Sequence, residues 1–238
     1  MNKVNKERPI RGFVFACTNK SEKECLDRLL FGTEKVYGPI VMRIREEDLL
    51  FLNNLDSNCL YGVFKAVSDG GLNIESEAWK GKYPYQVKIE LLGEKIRIDK
   101  AQQLLNKFKI KRNTTLYGKK LIALLDLLAP NPSLLDTKSR IKEKESFRLI
   151  LEQKKRIKER INEMDIEEEI PLIEATNFWD FPKQSYGLTP KGDNKYPGVT
   201  PALVIYNLIW RYTDPGDLVV DPMCGSGTTI DVCREEKR

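Results

Sequence analysis

The chain contains no histidine. That removes the usual general base and, with it, the Ser-His and Cys-His nucleophile pairs. It also leaves any zinc site to cysteine and carboxylate ligands alone, and no metal is expected. The five cysteines, Cys17, Cys25, Cys59, Cys224 and Cys233, are odd in number and form no C-x-x-C. They read as buried free thiols of a reducing compartment, not as a disulfide framework. No apolar run approaches the length of a membrane span. The opening residues, MNKVNKERPI, lack the apolar stretch of a signal peptide, so a cytoplasmic location is the expectation.

What is present is a charged surface around real cores: 41% hydrophobic and 32% charged residues over a length of 238. That suits one large or two small domains. The net charge of +5 permits nucleic-acid contact without demonstrating it. Its distribution says more, because residues 138–163 hold ten Lys or Arg against five Glu.

Residues 11–128 read as one α+β domain. Apolar or alternating runs at Arg11–Cys17, Gly38–Ile44, Leu60–Val67 and Tyr85–Leu91 predict strands, and Glu46–Asn53 predicts a short helical turn leading into a strand or a strand alone. Lys20–Leu30 predicts a helix, with Ser21 and Glu24 spaced as a capping box and Gly32 as its stop. Ile98–Phe108 and Leu116–Leu128 predict two more helices. The prolines of Ala129–Ser133 mark a boundary. Beyond them Lys138–Met164 reads as one long helix, its apolar stripe formed by Phe147, Ile150, Ile157, Ile161 and Met164 and interrupted by Lys154. This helix is either a basic strut along DNA phosphates, a dimer-forming helix, or a connector packed on one face with its charges solvated. The organisation expected is 1–129, a small mixed domain; 130–170, a Pro-containing break and basic helical linker; and 171–238, a further unit.

The strings GFVFACTNKSEKECLDRLLFG, LLFLNN and LYGVFKAVSDGGLNIESEAWKGKYPYQV resemble the DCD (development and cell death) domain. Phe31-Gly32, Leu50-Phe51-Leu52, Leu60–Phe64 and Pro84-Tyr85-Gln86-Val87 stand where that family has its FG, LFL, LYGVF-like and PAQV motifs. Tyr85 replaces the alanine of the last, and the later PLxE motif has no clean counterpart. The resemblance implies an α+β fold, a PUA- or YTH-like small barrel flanked by helices, whose relatives read RNA or modified bases. Trp79, Tyr83 and Tyr85, with Lys80, Lys82 and Lys88 nearby, are candidate base-stacking groups. The alternative is that Trp79 fills the barrel core and the tyrosines support it.

A second signal lies at the other end of the chain. Residues Val219–Thr229 read VVDPMCGSGTT: an apolar pair, a loop holding Gly225 and Gly227, then a helix start. Such a loop lets a ligand approach the backbone closely and offers it unpaired N–H donors. With NFWDFPKQSYG and KYPGVTPALVIYNLIWRYTDPGD before it, this segment resembles DNA amino-methyltransferases that use S-adenosylmethionine, in which DPxxGSGTT is the cofactor motif. The resemblance implies the start of an α/β Rossmann-like methyltransferase domain. Leu218–Asp221 would be its first strand and Ala202–Tyr212 a buried helix. The candidate cofactor residues it implies are Asp221, Pro222, Met223, Cys224, Gly225, Ser226, Gly227 and Thr228, with Tyr196 and Thr200 near the cofactor carboxylate. No DPPY-type catalytic tetrapeptide occurs among the 238 residues, so no catalytic residue is assigned.

Three functions remain open. The chain is the front part of a DNA methyltransferase acting on adenine or cytosine amino groups, with DNA as partner and a C-terminal continuation or second polypeptide completing the site. Or it is a non-catalytic, DCD-like nucleic-acid or modified-base binding module whose methyltransferase segment is vestigial or completed by a partner. Or it is a structural half that assembles with a separate catalytic chain. Alone, it is expected to be inactive and to self-associate through residues 202–238.

Overall fold

The computed structural model describes residues 10–110, 114–128, 140–160, 171, 173–174 and 179–238, without side chains at 140–147 and 160. The expected proline-rich boundary, the last turn of the long helix and Asn177-Phe178 lie outside these. Contacts divide the chain into a first unit, residues 1–34 and 40–167, and a second, residues 35–39 and 168–238.

The first unit is built on strands β1 (Gly12–Cys17), β2 (Leu30–Thr33), β3 (Leu49–Asn54), β4 (Cys59–Ala66), β5 (Gly71–Leu72), β6 (Tyr85–Asp99) and β7 (Thr114–Leu116). They join in one mixed sheet of order β2-β6-β4-β3-β1-β7, with β5 beside β6. Only β1 and β3 run parallel among these pairs, Val14 standing opposite Phe51. The fold class is α+β, as the sequence implies.

Strands β1 and β3 read as unbroken apolar runs because both their faces are buried. On one face Val14, Leu49, Phe51 and Leu60 join a core with helices α3 (Ala101–Lys107), α4 (Gly118–Leu128) and α5 (Arg140–Arg160). On the other face the Phe15 and Phe31 rings lie 5.4 Å apart, and the Phe31 and Phe64 rings 5.1 Å apart, edge on. Such pairs add stabilisation beyond their burial. The start of the parallel pair is held by Asp48, fully buried, whose carboxylate accepts the main-chain N–H of Arg11 (3.0 Å) and of Arg45 (2.9 Å) and pairs with the Arg11 guanidinium at 3.2 Å.

Helix α1 (Asn19–Asp27) begins one residue before the expected Lys20, with Thr18 and not Ser21 as N-cap and Ser21 completing the box. Gly38–Ile44, expected as a strand, instead holds helix α2 (Gly38–Val41), preceded by a 3-10 turn at Lys35–Tyr37. Helix α5 packs one face inward: Ile150 and Ile157 belong to the core, while Arg148, Lys155 and Lys158 are exposed. Lys154, which breaks the apolar stripe, is accommodated by an ion pair with Asp126.

The second unit contains α6 (Ala202–Tyr212) and α7 (Thr228–Glu235). Tyr206 and Trp210 form its interior, with Tyr186 edge-on to Tyr206 at 5.1 Å. The Trp210 indole N–H donates to Glu236 at 3.1 Å, closing α7 onto α6. Lys191 is buried: its ammonium donates to the carbonyl and hydroxyl of Thr189 and pairs with Glu235, each at 2.8 Å. The strand expected at Leu218–Asp221 does not form. Residues 217–221 are irregular, and Leu218 and Val220 are 88% and 77% exposed. A strand exists only through its neighbours, and among the described residues of this unit there is no sheet for the segment to join.

Candidate functional site

Two places collect the residues that the sequence singles out, one in each unit.

In the first unit the chain between β5 and β6 folds into a corner around Trp79. Trp79 (φ 47°), Lys80 (φ 55°) and Gly81 (φ 75°) are three successive left-handed residues. For the two that carry a Cβ this conformation costs about 1–2 kcal/mol each. Buried Gln86 staples the corner from within, accepting from the N–H of Glu75 at 2.7 Å and donating to the carbonyls of Glu75 (3.1 Å) and Tyr83 (2.9 Å). From outside, Glu24 accepts the main-chain N–H of Trp79 at 2.8 Å. Glu24 also pairs with Arg28, which reaches Glu75 at 3.1 Å, and these two carboxylates raise the Arg28 pKa.

The Trp79 ring lies on Gly32, where a Cβ would come within 2.6 Å of it. Gly32 is therefore a close-packing residue inside β2 and not a helix stop. Tyr83 stands edge-on to Trp79 at 5.5 Å and is half-buried, with the Lys82 ammonium 5.0 Å from its ring centroid. Trp79 is 9% exposed, and its indole N–H is shielded from solvent without a partner among the described residues. A buried donor left unmade costs about 1–3 kcal/mol. The structure thus brings Trp79 and Tyr83 together, with Lys82 against the Tyr83 ring and Lys80 exposed, and Trp79 and Gly32 fit as a packed pair. Tyr85 does not join them; it is 1% exposed within β6, opposite Thr33.

In the second unit three stretches meet around the glycine loop. The Asp221 carboxylate accepts the Thr229 hydroxyl at 2.6 Å and the Met223 N–H at 2.9 Å, and these bonds lower its pKa. Gly192 packs so closely that a Cβ there would lie 2.4 Å from the Thr228 hydroxyl and 2.6 Å from that of Ser226. Its N–H donates to Asp231 at 2.9 Å, and Asp193 N–H donates to the Ser226 carbonyl at 3.2 Å. The Tyr196 ring faces Gly225, where an added Cβ would lie 3.3 Å from it. Gly227 takes a left-handed turn (φ 85°) directly before α7. Tyr196 and the 221–228 loop are thereby adjacent, with Pro222, Met223 and Cys224 exposed. The Thr200 carbonyl accepts from Gln184 at 2.7 Å. Among the described residues no group of three or more metal-ligating side chains occurs, and no helix is long and apolar enough to cross a membrane.

One group escapes the motif-by-motif reading of the sequence. Residues 100–125 carry seven Lys or Arg and no Asp or Glu; a count of acids alone reveals it.

Residues 11–115 match the family model of the development and cell death domain. Over 87 residues the chain is 38% identical to the B2 protein of Daucus carota, which covers 34% of this chain and 42% of that protein. It is 36% identical over 91 residues to the DCD domain-containing protein NRP-B of Glycine max, covering 35% of this chain and 28% of that one. It is 37% identical over 86 residues to the DCD domain-containing protein NRP of Arabidopsis thaliana, covering 33% and 25%. The first unit carries a development and cell death domain, and the chain spans less than half the length of these relatives. Among solved structures it is similar to the YTH domain-containing protein mmi1 in complex with RNA (TM-score 0.42, 11% identity, 51% of this chain and 82% of that one). It is also similar to the Pho92 YTH domain in complex with m6A (TM-score 0.41, 15% identity, 52% and 88%). Scores this low bear on neither ligand nor activity.

Proposed function

We propose that the development and cell death domain of this chain is a non-catalytic module that binds nucleic acid through the Trp79–Tyr83 corner. The observation that carries this reading is the unpartnered, buried indole N–H of Trp79, held in a run of left-handed residues. Strain and an unmet donor in the same loop are features that folds retain where a ligand repays them. The chemistry that fits is a flat heteroaromatic base with a carbonyl or ring-nitrogen acceptor. The base would stack on half-buried Tyr83, its acceptor would take the indole N–H as the loop yields, and Lys80 and Lys82 would meet the phosphates. A modified base is within this class.

The test is fluorescence anisotropy of the full chain with labelled single-stranded RNA and DNA. Trp79→Phe keeps an aromatic ring and deletes the donor, so affinity should fall about tenfold, as expected for one hydrogen bond. Tyr83→Ala should lose about 1–3 kcal/mol of stacking. Binding equal to wild type in both variants would remove the reading.

A second reading is favoured by one observation, the adjacency of Tyr196 and Gly225. The second unit would form part of an S-adenosylmethionine site of a DNA amino-methyltransferase, completed by further polypeptide. The residues on hand fit one side of that cofactor: the 224–227 loop at its methionine end, with Asp221 fixing the loop. The cofactor would supply the methyl group; this chain's part is to hold and orient it. Photocrosslinking of labelled cofactor to wild type but not to Asp221→Ala supports it, and equal labelling of the two opposes it.

A further inference from the structure

Lys82 covers the Tyr83 ring from the solvent side. Its main-chain N–H donates to the Trp79 carbonyl at 3.2 Å, and the Tyr83 carbonyl accepts from Gln86 at 2.9 Å, so the backbone of the bend is held on both sides. Its side chain is held far less. It is 62% exposed; its ammonium lies over the Tyr83 ring, 5.0 Å from the centroid, and 3.8 Å from the Glu34 carboxylate, which is 59% exposed. In the same unit the Lys65 ammonium sits 2.8 Å from Glu90. A cation–π contact and a loose ion pair at an exposed site are both weak. The Lys82 ammonium is thus shared between two exchangeable partners on a fixed backbone, at the ring on which a base would stack.

The two partners set up a competition. A base that approaches Tyr83 from solvent takes the place of the ammonium, and the cation–π attraction is lost. A bare nucleoside returns nothing for it. A nucleotide brings a phosphate, which gives the displaced ammonium, on its flexible four-carbon stem, a more highly charged partner than Glu34. Glu34 opposes that transfer, because it attracts Lys82 and repels the phosphate.

We infer that Lys82 and Glu34 make the corner select phosphorylated ligands: Lys82 shields the Tyr83 ring from bare nucleosides and exchanges Tyr83 and Glu34 for the phosphate of a nucleotide. The inference rests on the reading of the corner as a base-binding site and adds which form of the base it takes. Lys82 and Glu34 are its specificity-determining residues, one rewarding the phosphate and the other setting the threshold the phosphate must exceed.

The test titrates the full chain with the common nucleosides and with their 5′-monophosphates, reading the Trp79 indole resonance by NMR, with circular dichroism to verify that variants fold. Lys82→Ala should act with opposite sign on the two ligands. Nucleoside binding should tighten about 2–5-fold, the strength of one exposed cation–π contact. Monophosphate binding should weaken about 2–5-fold, because a loss of about tenfold for one charge-assisted hydrogen bond is set against that gain. Glu34→Gln removes the competitor, so monophosphate binding should tighten about 2–5-fold at low salt. Nucleoside and monophosphate affinities that move together, or that both stay, in folded Lys82→Ala overturn the inference and leave the corner standing as a base site. Weaker monophosphate binding by Glu34→Gln also overturns it. Wild-type protein that binds none of these ligands overturns the reading of the corner and the inference with it.

Discussion

Replacing Gly32 by alanine places a methyl group against the Trp79 ring. The added Cβ would lie 2.6 Å from one ring carbon and 3.1 Å from the next, with Tyr83 Cβ also at 3.1 Å. Restoring an ordinary contact requires the ring to retreat by about 0.8 Å. Retreat is opposed on the side of Tyr83, and the backbone is pinned by Glu24 and Gln86. In a strand, alanine gains about 0.5–1 kcal/mol over glycine, whereas overpacking costs about 1–3 kcal/mol. The balance, about 1–2 kcal/mol, should appear as release of the ring from its seat, a population change of about 5–30-fold. Fluorine NMR of 5-fluorotryptophan-labelled protein reads this directly, since the sequence holds three tryptophans. The Trp79 resonance should move toward its solvent-exposed position while those of Trp179 and Trp210 stay. Oligonucleotide affinity should fall by up to the same factor. A stationary Trp79 resonance refutes the packing argument. A displaced resonance with unaltered affinity leaves the packing standing and removes Trp79 from binding.

Lys191→Met leaves the Glu235 carboxylate without its buried cation. Removing one partner of a buried pair typically costs about 3–5 kcal/mol, and the 26% exposure of Glu235 places this case near ~3. Hydrogen exchange of α7 amides should accelerate by about 100-fold, and a change under fivefold would mean that water replaces the ammonium. Burial holds the Cys25 thiol up at about 12 and also raises Cys17, so the folded state binds protons that the unfolded chain releases above pH ~8.5. The stability of the first unit should be fully present below that pH and decline steadily toward 12, and Cys25→Ala should flatten the decline in urea titrations. Cys224 is the exposed cysteine. One thiol per chain should react fast with a disulfide reagent in native protein, and Cys224→Ser should abolish that phase.

Strands β1, β3 and β4 are legible in the sequence because apolar continuity and β-branched or aromatic content coincide there with burial of both faces. Helices α6 and α7 are legible from their apolar spacing and the glycine turn. Other boundaries depend on partners far along the chain. Ile98 looks like a helix start, yet it pairs with Leu60 and prolongs β6. Leu116 looks like the first residue of α4, yet it stands opposite Gly12 in β7. Gly32 carries no local sign of the tryptophan 47 positions later that requires it to be glycine. Leu218–Asp221 is strand-like sequence, but pairing is a property of neighbours and not of the segment. Of the three aromatic candidates, Trp79 and Tyr83 meet because a left-handed turn brings them together, which no spacing rule foretells.

The family match ends at residue 115, yet the core it relies on does not. Leu121, Leu124, Leu125, Leu128, Ile150 and Ile157 complete the apolar layer over Val14, Phe51 and Leu60. A protein cut at the edge of the recognisable motif would bare that face to water and borrow its cover from other molecules. Other apolar side chains could supply that cover so long as they returned equivalent volume. The motif can thus be inherited intact while the scaffold that keeps it folded is rewritten.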